Sequence, residues 1–368
     1  LAAPALSPLA ILIATLILAG GLACGGGTPR CCGGDAGGGA GASVAGGAGT
    51  GGLGMSGTGG VAGTPWSCPA GPFTSPFPLA AAPARIAGVP PADAFNDNGS
   101  SFGIIEGPVW LGGALYVSEI GSTGAPPPSR ILKIDAGGGV SIAIADAGSN
   151  GLAVGPGGEL LTANHKFGAI TAYSLPDGIA TQIVGTFMGA RFDSPNDLTR
   201  RGDGTIYFSD PDYQAPAARP QAETGVYRVA PGSSTALVVD DDRQEPNGIT
   251  LSLDEKTLYV DGGDGLYSYP VNVDGSVGAR TKLTQSIGAS DGMAVDCQGN
   301  LYVATGATLA VVSPTGAALG TITLSGVQGA TNAAFGGADH QTLYITALGT
   351  GPQMGLFALQ MPLPGMPY

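Results

Sequence analysis

Charge is scarce in this chain. Only 11% of its 368 residues are charged, and 14 basic residues stand against 27 acidic ones, for a net charge of −13. Nothing so acidic neutralises a phosphate backbone, which excludes nucleic acid as a partner. Cysteine is also sparse: Cys24, Cys31, Cys32, Cys68 and Cys297 form no C-x-x-C pair and no Cys/His cluster, which excludes a structural zinc site. Cys31 and Cys32 are neighbours, so at most one of them is free to pair with Cys68, and Cys297 reads as an ordinary thiol in a turn. Helix-period patterning of useful length is missing after residue 79. The longest apolar run, Pro8 to Ala19, falls short of the roughly 20 residues of a membrane span.

What the chain has in abundance is glycine, 66 residues of it, much in one block. Residues 1–24 read as an export signal, with an apolar core and small residues leading to Cys24, the pattern of a lipoprotein whose Cys24 is lipidated. Residues 25–78, rich in Gly, Ala and Pro, bury too little apolar surface to offset their ordering entropy and are expected to form a disordered tether. A Pro-rich stretch, 65 to 78, ends it, with Trp66, Phe73 and Phe77 placed to pack on the body. The expected location is therefore exported, as a cell-envelope lipoprotein or a secreted protein, with a membrane reached only through the lipid anchor.

From residue 79 a unit repeats. A polar residue precedes a short apolar run, a turn and further β-rich runs, at Glu106, Asn150, Asn196, Asn247, Asp291 and Asn332. The intervals are 44, 46, 51, 44 and 41 residues. Such a period with several strands per unit marks a β-propeller. The third unit is typical: an inner strand from Asn196, a turn at Arg201–Gly204, then strands at Thr205–Asp210, Gly225–Val229 and Ala236–Val239. The expected fold is all-β, a six-bladed propeller of four-stranded blades over 79–368. The sixth unit is one strand short, and Ala84–Val89 is placed to supply it and close the ring.

Residues in equal phase converge on a propeller's axis. Glu106, Asn196, Asn247 and Asp291 offer carboxylate and amide oxygens, the donors of a hard cation such as Ca²⁺, with Zn, Mn and Mg as alternatives. Gly107, Gly248 and Gly292 follow three of them and permit close backbone approach, although Asn-Gly and Asp-Gly are also ordinary turn dipeptides. Asn150 reads as a channel residue that contacts water or substrate, and Asp197 as a partner to a ligand. His165, one of two histidines, stands as a candidate proton shuttle near neutral pH and substrate contact, or as a polar rim residue. His340 reads as a turn residue.

EGPVW, SPNDL followed by IYFSDPDY, PNGITLS with DEKTLYV, and DGMAVD with GNLYVA together resemble the gluconolactonase, senescence-marker-protein and luciferin-regenerating-enzyme family of six-bladed propellers. The likeness spans about 85 to 360, and SNGLAV with GELLTANH is most similar to the bacterial gluconolactonase branch. It implies a metal-dependent hydrolase of lactones or sugar-derived esters, with the metal on Glu106, Asn196, Asn247 and Asp291. In that branch a Cys-Glu-His-Gly run is usual; Ala163-Asn164-His165-Lys166 stands here and keeps only the histidine. The implied chemistry is a cation-polarised carbonyl attacked by water, with Asp291 as base as well as ligand and His165 relaying a proton. The chain is expected to act as a monomer. The competing reading is a non-catalytic exported propeller that binds a ligand or protein, since fold alone does not decide function. A strictosidine-synthase-like propeller, with a central Glu and no metal, sits poorly with Asn196, Asn247 and Asp291.

Overall fold

A computed structural model describes residues 67–73, 75–77, 82–90 and 102–367. The export signal, Cys24, Cys31, Cys32, Trp66 and most of the Gly-rich stretch lie outside the described residues. Among the described residues there is no α-helix, and the single short helical turn is Gly351–Gln353.

The repeat unit becomes a four-stranded antiparallel sheet. One sheet pairs Ser149–Val154, Leu160–Asn164, Ala169–Tyr173 and Ala180–Val184 in chain order. Leu198–Arg200, Ile206–Asp210, Gly225–Val229 and Ala236–Asp240 form the next. Pro246–Leu251, Thr257–Gly262, Tyr267–Pro270 and Thr281–Lys282 follow, then Met293–Val295, Leu301–Thr305, Thr308–Val312 and Ala318–Thr323. The remaining strands make one eight-stranded sheet from two such groups: Phe102–Leu111, Ala114–Ile120, Ser129–Ile134 and Val140–Ile144 from the start of the body, and Gly329–Gly336, Thr342–Thr350, Gly355–Gln360 and Ala84–Arg85 from its two ends. The groups join where Phe102, Gly103 and Ile104 pair with Thr350, Gly349 and Leu348. Ala84 and Arg85 pair with Ala358 and Phe357, so the early strand does complete the last group, over two residues rather than the longer run expected. Arg85 secures it by donating to the carbonyls of Pro352 and Met354.

Alternation explains why each sheet is buried on both faces. In Ile206–Asp210, Phe208 enters a core shared with Leu161, Ile170 and Val184 of the preceding sheet, whereas Tyr207 enters another with Ile249, Leu258 and Val260 of the following one. Phe192 meets Phe208 edge-on, ring centres 5.0 Å apart. The same sharing joins Val109 to Leu152, Tyr259 to Met293, Tyr302 to Phe335, and Ile105 to Leu356. Hydrophobic burial thus lies between sheets, each packed face to face with its neighbours.

The first and last described segments lie on the turn side of the sheets. Met366 N–H donates to Val295 O, Phe335 N–H to Met366 O and Trp110 N–H to Pro367 O, which lays the last residues across the ends of three inner strands. The 67–77 segment lies on the sheet that holds Tyr302: the Tyr302 hydroxyl donates to Pro76 O, Gln298 Nε2 to Phe73 O, and Phe77 packs on the adjacent core. This path carries Cys68 to Cys297, and the two form a disulfide with Cα atoms 5.4 Å apart. Cys297 is therefore not a free thiol, and Cys68 is unavailable to Cys31 or Cys32. A separation of 229 residues hides this pair from local reading of the chain.

A loop of that length gives a chain-entropy stabilisation of about 5 kcal/mol. Cys68→Ser/Cys297→Ser is expected to lower the urea midpoint of the full chain well below that of the oxidised protein, and reductant is expected to lower the parent's midpoint alike.

Candidate functional site

The inner strands are interrupted where the phased polar residues stand. Glu106 faces Ser118 but Val109 faces Tyr116, so two residues on one strand answer one on its partner. The same irregularity falls at Asn150, Asn247 and Asn332. Asn196 and Asp291 lie just before their paired strands, held by Asn196 N–H to Ser209 O and Asp291 N–H to Ala304 O. A bulge bends a strand and re-aims its side chain, and here four of the repeats use one to turn a polar side chain inward.

Backbone approach between neighbours follows. Gly107 adopts φ +56°, and a Cβ there would lie 2.5 Å from Asn150 O. A Cβ on Gly292 would lie 2.0 Å from the Asn332 side chain. Gly151 N–H donates to Asn196 O at 2.6 Å, the Ser209 hydroxyl to Asn247 O at 2.5 Å, and Gly292 N–H to Thr331 O at 2.6 Å. Asn332 Nδ2 bonds Glu106 Oε2 and Asp197 Oδ2, both at 3.2 Å, which ties the last repeat to the first and third.

Glu106, Asn150, Asn196, Asn247 and Asp291 line one cavity of about 20 Å³, with Ile104, Tyr213, Gln214, Thr331 and Leu348. That is room for one or two waters or an ion. The electrostatics are severe. Burial pushes Glu106 well above the usual carboxylate range, and Asp291 and Asp197 push it further. Burial does the same to Asp291, reinforced by Asp261 and Asp197. Asp197 is raised to about 6, again chiefly by burial. The Oδ1 atoms of Asn150 and Asn247, both buried, accept no hydrogen bond. Crowded carboxylates and orphaned amide oxygens suit an oxygen-ligated cation, which reverses the local preference for protonation. The donors are thus acids with amides: among the described residues, no group of three or more His, Cys, Asp and Glu is arranged to hold a metal.

Two sequence candidates are placed differently. His165 is fully buried, outside the lining of this cavity, and its Nε2 lies 3.0 Å from Pro127 O in the loop 121–128. Burial lowers its pKa to about 4, so it stays neutral near pH 7 rather than titrating there. Asp197 is a full member of the buried acid group, in contact with Asn332 and receiving Ile249 N–H at 3.4 Å.

Sequence reasoning passed over Asp261 and Tyr213. Asp261 is fully buried and its Oδ1 accepts Gly248 N–H at 2.8 Å. A signal existed: the second strand of each repeat carries a small or polar residue beside the interrupted position, at Ser118, Ala163, Ser209, Asp261, Ala304 and Thr346. Tyr213 and Gln214 belong to a long loop whose path no period predicts; Gln214 Oε1 accepts from Asn150 Nδ2 at 3.5 Å.

Sheets packed around a buried cluster of acid and amide side chains define a propeller-like protein with a polar axial site. The family model described as SMP-30/gluconolactonase/LRE-like region matches residues 104–349, and the chain belongs to that family. A gluconolactonase of Zymomonas mobilis is 31% identical over 276 residues, which span 66% of this chain and 75% of the relative. A gluconolactonase structure from Xanthomonas campestris superposes with a TM-score of 0.61 at 30% identity, over 79% of this chain and 98% of that one. A calcium-binding protein, regucalcin, from Agrobacterium tumefaciens superposes with a TM-score of 0.59 at 17% identity, over 72% of this chain and 94% of that one, a likeness of fold alone. Membership supports lactone hydrolysis in general, with a small-molecule lactone as substrate.

Gly292→Ala is expected to displace Asn332 and cost about 2–4 kcal/mol in urea denaturation. His165 ionises near 6.5 when unfolded but near 4 when folded, so its contribution is complete above 6.5 and is lost as the pH falls through 4. Over that window it accounts for up to about 3 kcal/mol of acid destabilisation. His165→Gln is expected to flatten the stability–pH slope between those values.

Proposed function

We propose that this protein is a metal-dependent lactone hydrolase, built as a six-bladed ring that the strand Ala84–Arg85 completes. Six four-strand groups, each sharing a core with the next, and the contact of Asn332 with Glu106 support the ring. The observation that carries the function is the single cavity lined by Glu106, Asn150, Asn196, Asn247 and Asp291.

Glu106, Asn196, Asn247 and Asp291 would hold the cation, and oxygen-only donors favour Ca²⁺, with Mg²⁺, Mn²⁺ or Zn²⁺ as alternatives. A bound divalent cation supplies Lewis-acid polarisation of the lactone carbonyl. Asp291 takes a proton from water as the water oxygen bonds to the carbonyl carbon, and returns it to the ring oxygen as the C–O bond breaks. Asn150 and Gln214 offer amide groups to the sugar hydroxyls, and Ile104 and Leu348 exclude bulk water. His165 positions the mouth loop 121–128 through Pro127 rather than handling protons.

The Cys68–Cys297 disulfide supports an exported protein, because such bonds persist in oxidising compartments. A lipid anchor on Cys24 and monomeric action complete the proposal.

Hydrolysis of glucono-δ-lactone is expected to fall at least about 100-fold on chelation, to recover with Ca²⁺, and to be lost in Asp291→Ala. Turnover indifferent to chelation and to Asp291→Ala, in folded protein, would reject the scheme. A cation bound without turnover of any lactone would favour the non-catalytic binding reading.

A further inference from the structure

A second, larger cavity lies on the turn side of the sheets. The strands Phe102–Leu111 and Thr342–Thr350 pair only over Phe102–Ile104 and Leu348–Thr350, then diverge. Their divergence leaves a cleft of about 540 Å³ between the first and last groups, within the size range of small-molecule sites. Trp110 lines this cleft, four residues past Glu106 on the same strand, so about 13 Å further along it. The axial cavity and the cleft share no lining residue.

The floor of the cleft is aromatic. Trp110 and Tyr344, both half-buried, lie nearly parallel, with an interplanar angle of 8° and ring centres 5.9 Å apart. Gly336 makes room for the indole: a Cβ there would meet Trp110 at 2.8 Å. The rings are stacked on each other, so the pair offers an outer aromatic face rather than the walls of a cage, which favours a flat face of C–H groups over a quaternary ammonium.

The rim is polar and built. Asp135 Oδ1 accepts the N–H groups of Gly137 and Gly139, both at 2.8 Å, which orients the carboxylate and leaves Oδ2 as an acceptor for a ligand. His340 also lines the cleft, with a left-handed φ of 54°, its N–H on Gly337 O and its carbonyl accepting Gly365 N–H. The C-terminal segment thus fixes the turn that carries His340. Among the described residues no Lys or Arg lines the cleft, so phosphate and carboxylate ligands find no basic partner in that lining.

We propose that this cleft is a saccharide-binding site, which takes a pyranose unit stacked on Trp110 and Tyr344 with hydroxyls bonded to Asp135 and His340. A sugar ring has the matching chemistry, an apolar C–H face with an equatorial belt of donors and acceptors. The site is separate from the axial cavity and does not depend on lactone hydrolysis there. It gives His340 a role in binding that its place in a turn does not suggest.

The chain has two tryptophans, Trp66 and Trp110. Full-length Trp66→Phe therefore leaves the cleft residue as the only indole reporter. Methyl β-glucoside and cellotriose, titrated separately, are expected to shift its emission with a Kd of about 1 mM or tighter, with the trimer tighter if the natural ligand is a polymer and the two equal if it is a free sugar. His340→Gly, compatible with the left-handed backbone, and Asp135→Ala are expected to weaken binding at least about tenfold while lactone hydrolysis is unchanged. Calorimetry on the parent protein provides a readout independent of the indole. Neither a heat nor an emission change for either sugar would overturn the proposal. So would binding that survives both substitutions, or binding abolished by Asp291→Ala alone, which would place the sugar at the axial site.

Discussion

Carboxylates removed from water need compensation, and that constraint organises this molecule. Burial raises Glu106, Asp197, Asp261 and Asp291 alike; Asp291 and Asp197 raise Glu106 further, Asp261 and Asp197 raise Asp291, Asp197 raises Asp261, and Arg243 offsets part of the rise at Asp261. The amides of Asn332 and the N–H groups of Gly107 and Gly248 absorb part of that cost. An isolated strand would never hold acids in such a place. Sheets packed on both faces do, because the cores between them hold the inner strands in place.

Those cores and the axial site are linked through the interruptions in the inner strands. On one side of each break the residues alternate into the shared cores, as Ile249 and Leu251 do. At the break the pairing shifts, and the polar residue turns inward while its neighbouring backbone meets the next repeat. Packing and chemistry therefore occupy successive residues of one strand. A change at Gly107 or Gly292 acts on both, since each lies against the backbone or side chain of the following unit.

The first and last described segments use the other side. The last residues bond to three inner strands, the 67–77 segment lies across Tyr302, and the Cys68–Cys297 bond fastens it to a turn whose Cys297 N–H donates to Pro364 O. One turn thus anchors both terminal segments. The cleft beside Trp110 shares this region, where Pro367 and Gly365 hold the strands and turn that shape it.

Local pattern in the sequence determined the all-β class, the four-strand unit, the family and the phase of Glu106, Asn150, Asn196, Asn247 and Asp291, because a strand's period of two and a repeat near 45 residues are properties of the chain itself. The sixth unit, one strand short, pointed to Ala84–Val89 as its missing strand, of which Ala84 and Arg85 pair with the last group. Only the tertiary structure decided that Cys68 meets Cys297 across 229 residues, that His165 is buried neutral against Pro127, and that Asp261 joins the acids. Each of these depends on which distant residues share a space, and burial sets a pKa or a bond that residue type and spacing do not carry. The aromatic cleft is of the same kind, for Trp110 and Tyr344 are ordinary strand residues until two groups of strands diverge around them.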